Sequence, residues 1–312
     1  MEFGKVKDRE ELNRICFDLP PWRDQDTALF HTSSSALKPG HSPQQKPLYV
    51  GCPSWNQSSF LGTLYPQNCS PQKYLFYYSQ QFNTIEFNTT FYRIPQPQTV
   101  TQWKNSTPSG FKFCPKVFQG ISRFENLYEI PQLTRQYFTA LESFEDRLGP
   151  TFLQLPPHFS PGYFPILKRF VTLIPKDISL HIEFRHPQWF QDDRILQHVT
   201  DLLFEHRVGI VITDVAGRRD VLHHSLTTPV ALIRFVGNEL HPTDFSRLQS
   251  WARRIEEWSQ QGLGPFYFFI HQPEEKGYIE LTERLHQNLS HHPLIQLKPL
   301  NDRLAEAQLP LF

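Results

Sequence analysis

From Leu48 onward the chain alternates two textures. Short runs that are apolar at nearly every position cover 48–51 (LYVG), 84–87 (TIEF), 111–116 (FKFCPK), 151–155 (TFLQL), 178–185 (ISLHIEFR), 209–214 (GIVITD), 230–237 (VALIRFVG) and 266–271 (FYFFIH). Runs of this length and composition predict β-strands. Between them lie stretches with apolar positions three or four apart. In 132–149, Leu133, Tyr137, Leu141, Phe144 and Leu148 recur before Gly149. In 243–262, Phe245, Leu248, Trp251, Ile255 and Trp258 share one face before Gly262. Residues 70–82 open with Ser and Pro, a helix-start signal, and 193–207 follow the fifth strand as a helix. Between strands six and seven, VAGRRDVLHHSLTT is too short and broken for a good helix. Strands alternating with helices predict an α/β fold, a (β/α)8 TIM barrel in a single domain. A doubly wound sheet is the rival, but GCPSWNQSS after the first strand is not the Gly-rich phosphate loop that it favours.

The ends of the chain read differently. Residues 1–46 are rich in Pro, Ser and Gln, with Leu19, Trp22, Leu29 and Phe30 as apolar anchors, and predict a partly extended N-terminal arm. The barrel is placed at 47–291 and a C-terminal tail at 292–312.

The 312 residues carry zero formal net charge, so no global basic field draws the chain to nucleic acid or an anionic membrane. No apolar run approaches the roughly 20 residues of a membrane helix, and the first residues carry no apolar signal core. Cys16, Cys52, Cys69 and Cys114 form no C-x-x-C pair, which predicts free thiols in a reducing cytoplasm.

In a barrel the chemistry sits at the C-terminal strand ends. Reading those ends in order gives Trp55 after strand one, and Glu86 and Asn88, followed by Tyr92, on strand two. Lys116, Gln154, then Glu183, Arg185 and Trp189, and then Asp214, Arg234 and His271 come from strands three to eight. Polar groups so placed are costly unless partnered. Glu86, Glu183 and Asp214 are the candidate acids and bases. Lys116, Arg185 and Arg234 are candidate anion holders, joined in substrate binding by Asn88, Gln154 and His271. Trp55, Tyr92 and Trp189 are candidate stacking surfaces. Glu86, Glu183, Asp214 and His271 could supply ligands to a divalent metal, but no H-x-E, H-x-H or H-E-x-x-H spacing occurs and three cations would oppose it, so no metal ligand is assigned.

The motifs GCPSW, FNTIEFNTTFYRIP, FKFCPKV, LQLPPHF, EFRHPQW, VITD and IRFVG occur in order. In this they resemble the YecE-like family, also called domain of unknown function 72, a TIM-barrel family of bacteria and archaea. The resemblance covers roughly residues 48–290. It implies that the shared polar positions are Glu86, Asn88, Lys116, Gln154, Glu183, Arg185, Asp214 and Arg234. The family often shows Arg-x-His-Gly on strand seven where this chain has Arg234-Phe235-Val236-Gly237, and Asn at the end of strand eight where this chain has His271. It implies no established activity, although a likeness to barrel endonucleases has suggested nucleic-acid processing. Separately, Gln308-Leu309-Pro310-Leu311-Phe312 resembles the bacterial sliding-clamp-binding pentapeptide Gln-Leu-x-Leu-Phe. Gln308 would anchor by its amide while Leu309, Leu311 and Phe312 fill apolar pockets.

Three functions follow as expectations. The first is an enzyme acting on a phosphate-bearing substrate, such as a phosphorylated small molecule or nucleic acid in processing or repair. The second is a glycoside hydrolase with paired carboxylates. The third is a non-catalytic module that binds the sliding clamp.

Overall fold

The computed structural model describes residues 3–21, 45–274 and 276–300. The arm anchors Trp22, Leu29 and Phe30 and the clamp-like residues Gln308, Leu309, Leu311 and Phe312 lie outside these.

All eight expected strands form: β1 (Lys46–Gly51), β2 (Thr84–Phe87), β3 (Lys112–Pro115), β4 (Thr151–Gln154), β5 (Leu180–Glu183), β6 (Gly209–Asp214), β7 (Ala231–Val236) and β8 (Phe266–His271). A short β9 (Ile295–Gln296), which the sequence pattern did not predict, pairs with the start of β1. They form a seven-stranded sheet, β4-β5-β6-β7-β8-β1-β9, and a two-stranded sheet, β2-β3, with every ladder parallel. The fold is therefore α/β with a mostly parallel sheet, but the sheet is not closed. The ladder is interrupted on both sides of the β2-β3 pair.

The physical reason for the first interruption is visible in side chains. Asn83 takes the place of a neighbouring backbone, its Oδ1 accepting from Val50 N (2.7 Å) and its Nδ2 donating to Leu48 O (2.9 Å). The Tyr78 hydroxyl accepts from Cys52 N (2.8 Å) and donates to Thr84 O (3.0 Å). Gly51 lets the two strands come this close, since a Cβ there would lie 2.2 Å from Thr84 O. One backbone bond, Glu86 N to Cys52 O (3.1 Å), crosses the gap. On the other side, Gly149 N to Phe113 O (2.7 Å) and Val117 N to Phe152 O (2.9 Å) tie β3 to β4.

Helices follow the strands. The main ones are α1 (Tyr74–Gln81), α2 (Pro97–Asn105), α3 (Ile130–Glu142), α4 (Phe164–Val171), α5 (Asp193–Glu205), α6 (Pro242–Gln260) and α7 (Tyr278–Leu289). Asp192 caps α5 by accepting from Arg194 N (2.8 Å). On α6 the expected stripe is present, with Leu248, Trp251, Ile255 and Trp258 fully buried. The α3 helix stops at Glu142, short of Gly149, and a 3-10 turn at Glu145–Arg147 completes the segment. Between β6 and β7 only a broken 3-10 turn, Ala216–Val221, appears.

Alternation along the strands separates two apolar clusters. Residues such as Val50, Ile85, Phe113, Leu153, Ile182, Ile212, Phe235 and Phe268 pack with the helices. The opposite parity gives a smaller cluster of Cys114, Phe152, Val211, Leu232, Tyr267 and Phe269 on the face without helices. Continuing that parity toward the C-terminal strand ends brings in Glu86, Gln154, Glu183, Thr213, Arg234 and His271.

Candidate functional site

Arg234 organises the strand ends. It stands mid-strand on β7, where an unpartnered cation would be prohibitive. Its Nε and Nη2 donate to both oxygens of Glu86 (2.8 and 2.9 Å), a bidentate pair, and its Nη1 donates to Glu183 Oε2 (2.7 Å). One guanidinium thus holds a carboxylate from β2 and another from β5, and so joins the small sheet to the large one. Glu183 also accepts from Arg185 Nε (3.0 Å), Thr213 Oγ1 (3.0 Å) and Gln154 Nε2 (2.9 Å). Glu86 accepts from Asn88 Nδ2 (3.2 Å) and pairs with His271 Nε2 (2.8 Å). The Gln154 carbonyl oxygen accepts from Lys116 Nζ (2.9 Å), and that ammonium lies 4.3 Å from the centre of the Phe91 ring.

Burial works against both carboxylates, but the cations win. Burial pushes the Glu86 carboxyl up, and Arg234 and His271 hold it well below the usual range. For Glu183 burial is likewise outweighed, by Arg185 and Arg234, and its pKa falls to about 2. Burial lowers the pKa of His271, so its ring is neutral at pH 7 and Nε2 carries the proton shared with Glu86. Burial, with Arg234 adding to it, lowers Lys116 to about 8.

A cavity of about 330 Å³ opens on this network. Glu86, Asn88, Lys116, Gln154, Arg185, Arg234 and His271 line it, and the loop residues Ser54, Gln57, Gln272 and Tyr278 complete the wall. Among the described residues no group of three or more His, Cys, Asp or Glu side chains is placed to hold a metal ion. Both oxygens of Glu86 already accept from Arg234.

Four of the sequence-predicted site residues stand outside this cavity. Asp214 does not join the cavity. Its parity is opposite to that of Thr213, so its side chain turns toward α6. There it accepts from Trp251 Nε1 (2.7 Å) and Arg247 Nε (3.2 Å) and pairs with Arg219. Strand β6 is buried on both faces, and no alternation in GIVITD marked which residue faced inward. Thr213 was missed for the same reason. Trp189 is also no stacking surface. It is buried, with its Nε1 donating to Phe159 O (2.7 Å). Trp55 is half-buried against Phe87, their rings stacked at 5.3 Å. With the exposed Tyr92 it lines a separate cavity of about 580 Å³ that shares Pro53, Ser54 and Asn88 with the first.

The arrangement defines a class: α/β proteins with a mostly parallel sheet and a charged cavity at the C-terminal strand ends. Within it, residues 49–304 match the family described as "Protein of unknown function DUF72", and the chain belongs to that family. It is 29% identical over 262 residues to the UPF0759 protein YecE of Escherichia coli K12, spanning 78% of this chain and 92% of that relative. To the UPF0759 protein YunF of Bacillus subtilis 168 it is 26% identical over 255 residues, spanning 71% of this chain and 88% of that one. Among solved structures, a DUF72 family protein of Enterococcus faecalis V583 superposes with a TM-score of 0.62 at 17% identity, over 84% of this chain and 99% of its own. One from Thermotoga maritima MSB8 gives 0.59 at 21%, over 78% and 99%. These likenesses establish the fold. No helix of the described residues is long and apolar enough to cross a membrane.

Proposed function

We propose that the cavity binds a small phosphate-bearing ligand and that the protein is an enzyme acting on it. The observation that carries this reading is the double engagement of Arg234. Because Arg234 bridges Glu86 and Glu183, neither carboxylate is left to balance Lys116. Among the described residues Lys116 has no carboxylate within ion-pair distance, which leaves its positive charge uncompensated, and it stands with Arg185 at the cavity wall. Phosphate oxygens are matched by such a pair. About 330 Å³ suits a sugar phosphate or a single nucleotide, or the end of a nucleic-acid strand. The small and large sheets together constitute, on this reading, a (β/α)8 barrel with its ligand at the usual end.

The proton chemistry belongs to His271. Glu86 fixes its tautomer, leaving Nδ1 as a base. A glycoside hydrolase would need one carboxyl protonated near neutral pH. Glu86 and Glu183 are both held ionised, which favours the phosphate reading over that one.

The test is calorimetry with inorganic phosphate, glycerol phosphate and a nucleoside monophosphate. The wild type is expected to bind at least one, and Lys116→Ala and Arg185→Ala to weaken it tenfold or more. A wild type that binds none of them overturns the reading. The tail carries a separate proposal, docking on the bacterial sliding clamp through Gln308, Leu309, Leu311 and Phe312. Purified clamp should bind the full chain and not a chain ending at residue 307, and equal binding by both would remove the tail from consideration.

A further inference from the structure

We propose that Lys116 is a covalent catalytic residue, a nucleophile that captures the carbonyl carbon of a phosphorylated aldehyde or ketone as an imine. This rests on the phosphate reading of the same cavity and names the substrate class.

The geometry around Nζ is the argument. A half-buried lysine beside two carboxylates would ordinarily pair with one of them. Here both are taken by guanidinium groups, Glu86 by Arg234 and Glu183 by Arg234 and Arg185. Among the described residues Lys116 has no carboxylate within ion-pair distance. What it meets instead is the neutral Gln154 amide at 2.9 Å and the Phe91 ring at 4.3 Å, with the cavity in front. A half-buried amine near two other cations loses its proton easily, and a neutral amine is the form that attacks carbonyls. Burial and Arg234 act this way on Lys116, with Arg185 adding to them and Glu86 and Glu183 opposing, and the balance lies near 8.

In the step itself the Nζ lone pair forms a bond to the carbonyl carbon as the C=O π pair moves to oxygen. One proton passes from Nζ to that oxygen, giving a carbinolamine. The hydroxyl takes up a second proton, matching the one the Lys116 ammonium released on becoming the neutral amine, and leaves as water as the C=N bond forms, and the cationic imine keeps the remaining Nζ proton. His271, neutral and lining the same cavity, is the group at hand to relay these protons. Arg185 then remains to hold the phosphate.

The experiment incubates the full chain with dihydroxyacetone phosphate and sodium cyanoborohydride, then maps the reduced adduct by peptide mass spectrometry. Glycerol phosphate, which has no carbonyl, is titrated in parallel by calorimetry. The expected result is an adduct at Lys116 whose yield rises with pH through about 8. It is expected to be lost in Lys116→Arg, with glycerol phosphate binding by the wild type as the measure of an intact cavity. Glycerol phosphate binding with no adduct at Lys116 above the level of the surface lysines overturns the inference and leaves the phosphate reading standing. No glycerol phosphate binding by the wild type overturns both.

Discussion

Several titratable residues are buried in a fixed protonation state, and this sets how the protein responds to acid. Burial lowers His181 and His286 to about 4, and burial with Arg254 lowers His224 to about 2. These rings stay neutral in the native state while the unfolded chain takes up protons below about 6.5. Where the unfolded state binds more protons, stability falls with falling pH. Their contribution is therefore complete above 6.5 and is lost as pH drops toward 4. Glu183, depressed to about 2 against an ordinary 4.5, contributes fully above 4.5 and loses that contribution only below it. Acid destabilisation should begin with the histidines and continue with the carboxylates. His181 sits at 3.2 Å from Val230 O, away from the cavity. Denaturant unfolding of His181→Gln between pH 6.5 and 4 should show a slope reduced by about one proton, whatever its stability at pH 7. An unchanged slope would mean that His181 is not held neutral.

At the scale of elements, Asp214 shows how much a sequence can say. The strand ends were legible because polar residues interrupt apolar runs, and those interruptions named Glu86, Lys116, Gln154, Glu183, Arg185, Arg234 and His271, all of which meet in one network. What was not legible was direction at the end of a strand buried on both faces, and so Asp214 read as catalytic. The break in the sheet was equally hidden, because it depends on Asn83 and Tyr78 reaching backbone groups of β1 across space. Asp214 instead fastens β6 to α6, with Arg247 (2.9 Å) and Trp251 as partners. Removing one partner of such a buried pair costs about 3–5 kcal/mol, because the remaining charge is stranded. Asp214→Ala should lower the unfolding free energy by roughly that much while phosphate binding by the folded fraction is unchanged. Loss of binding with intact stability would return Asp214 to the site.

For the molecule as a whole, the N-terminal segment is the piece whose role composition left open. It places two aromatic rings on guanidinium groups. Phe3 lies 4.3 Å from Arg185 and 4.5 Å from Arg218, and Phe17 lies 5.3 Å from Arg219 and 5.1 Å from Arg247. Gly4 O accepts from Gly217 N (3.0 Å), and Arg218 donates to Arg185 O (3.0 Å). The segment thus covers the loop after β6 and presses on one of the two cations assigned to the phosphate. Among the described residues it contributes only Leu19 to the apolar clusters, beside the separately buried Leu12, so a chain lacking residues 1–21 should still fold cooperatively. Four such ring contacts at roughly 0.5–1 kcal/mol each put the loss of stability at about 2–4 kcal/mol. Phosphate affinity should fall as well, because Arg185 loses one of the contacts that hold its guanidinium in position. Unfolding curves and calorimetry on the truncated chain separate the two effects. Reduced stability with unchanged affinity would make the segment a clamp on the loop alone. Reduced affinity in the truncated chain and also in Phe3→Ala would make it part of the cavity's wall.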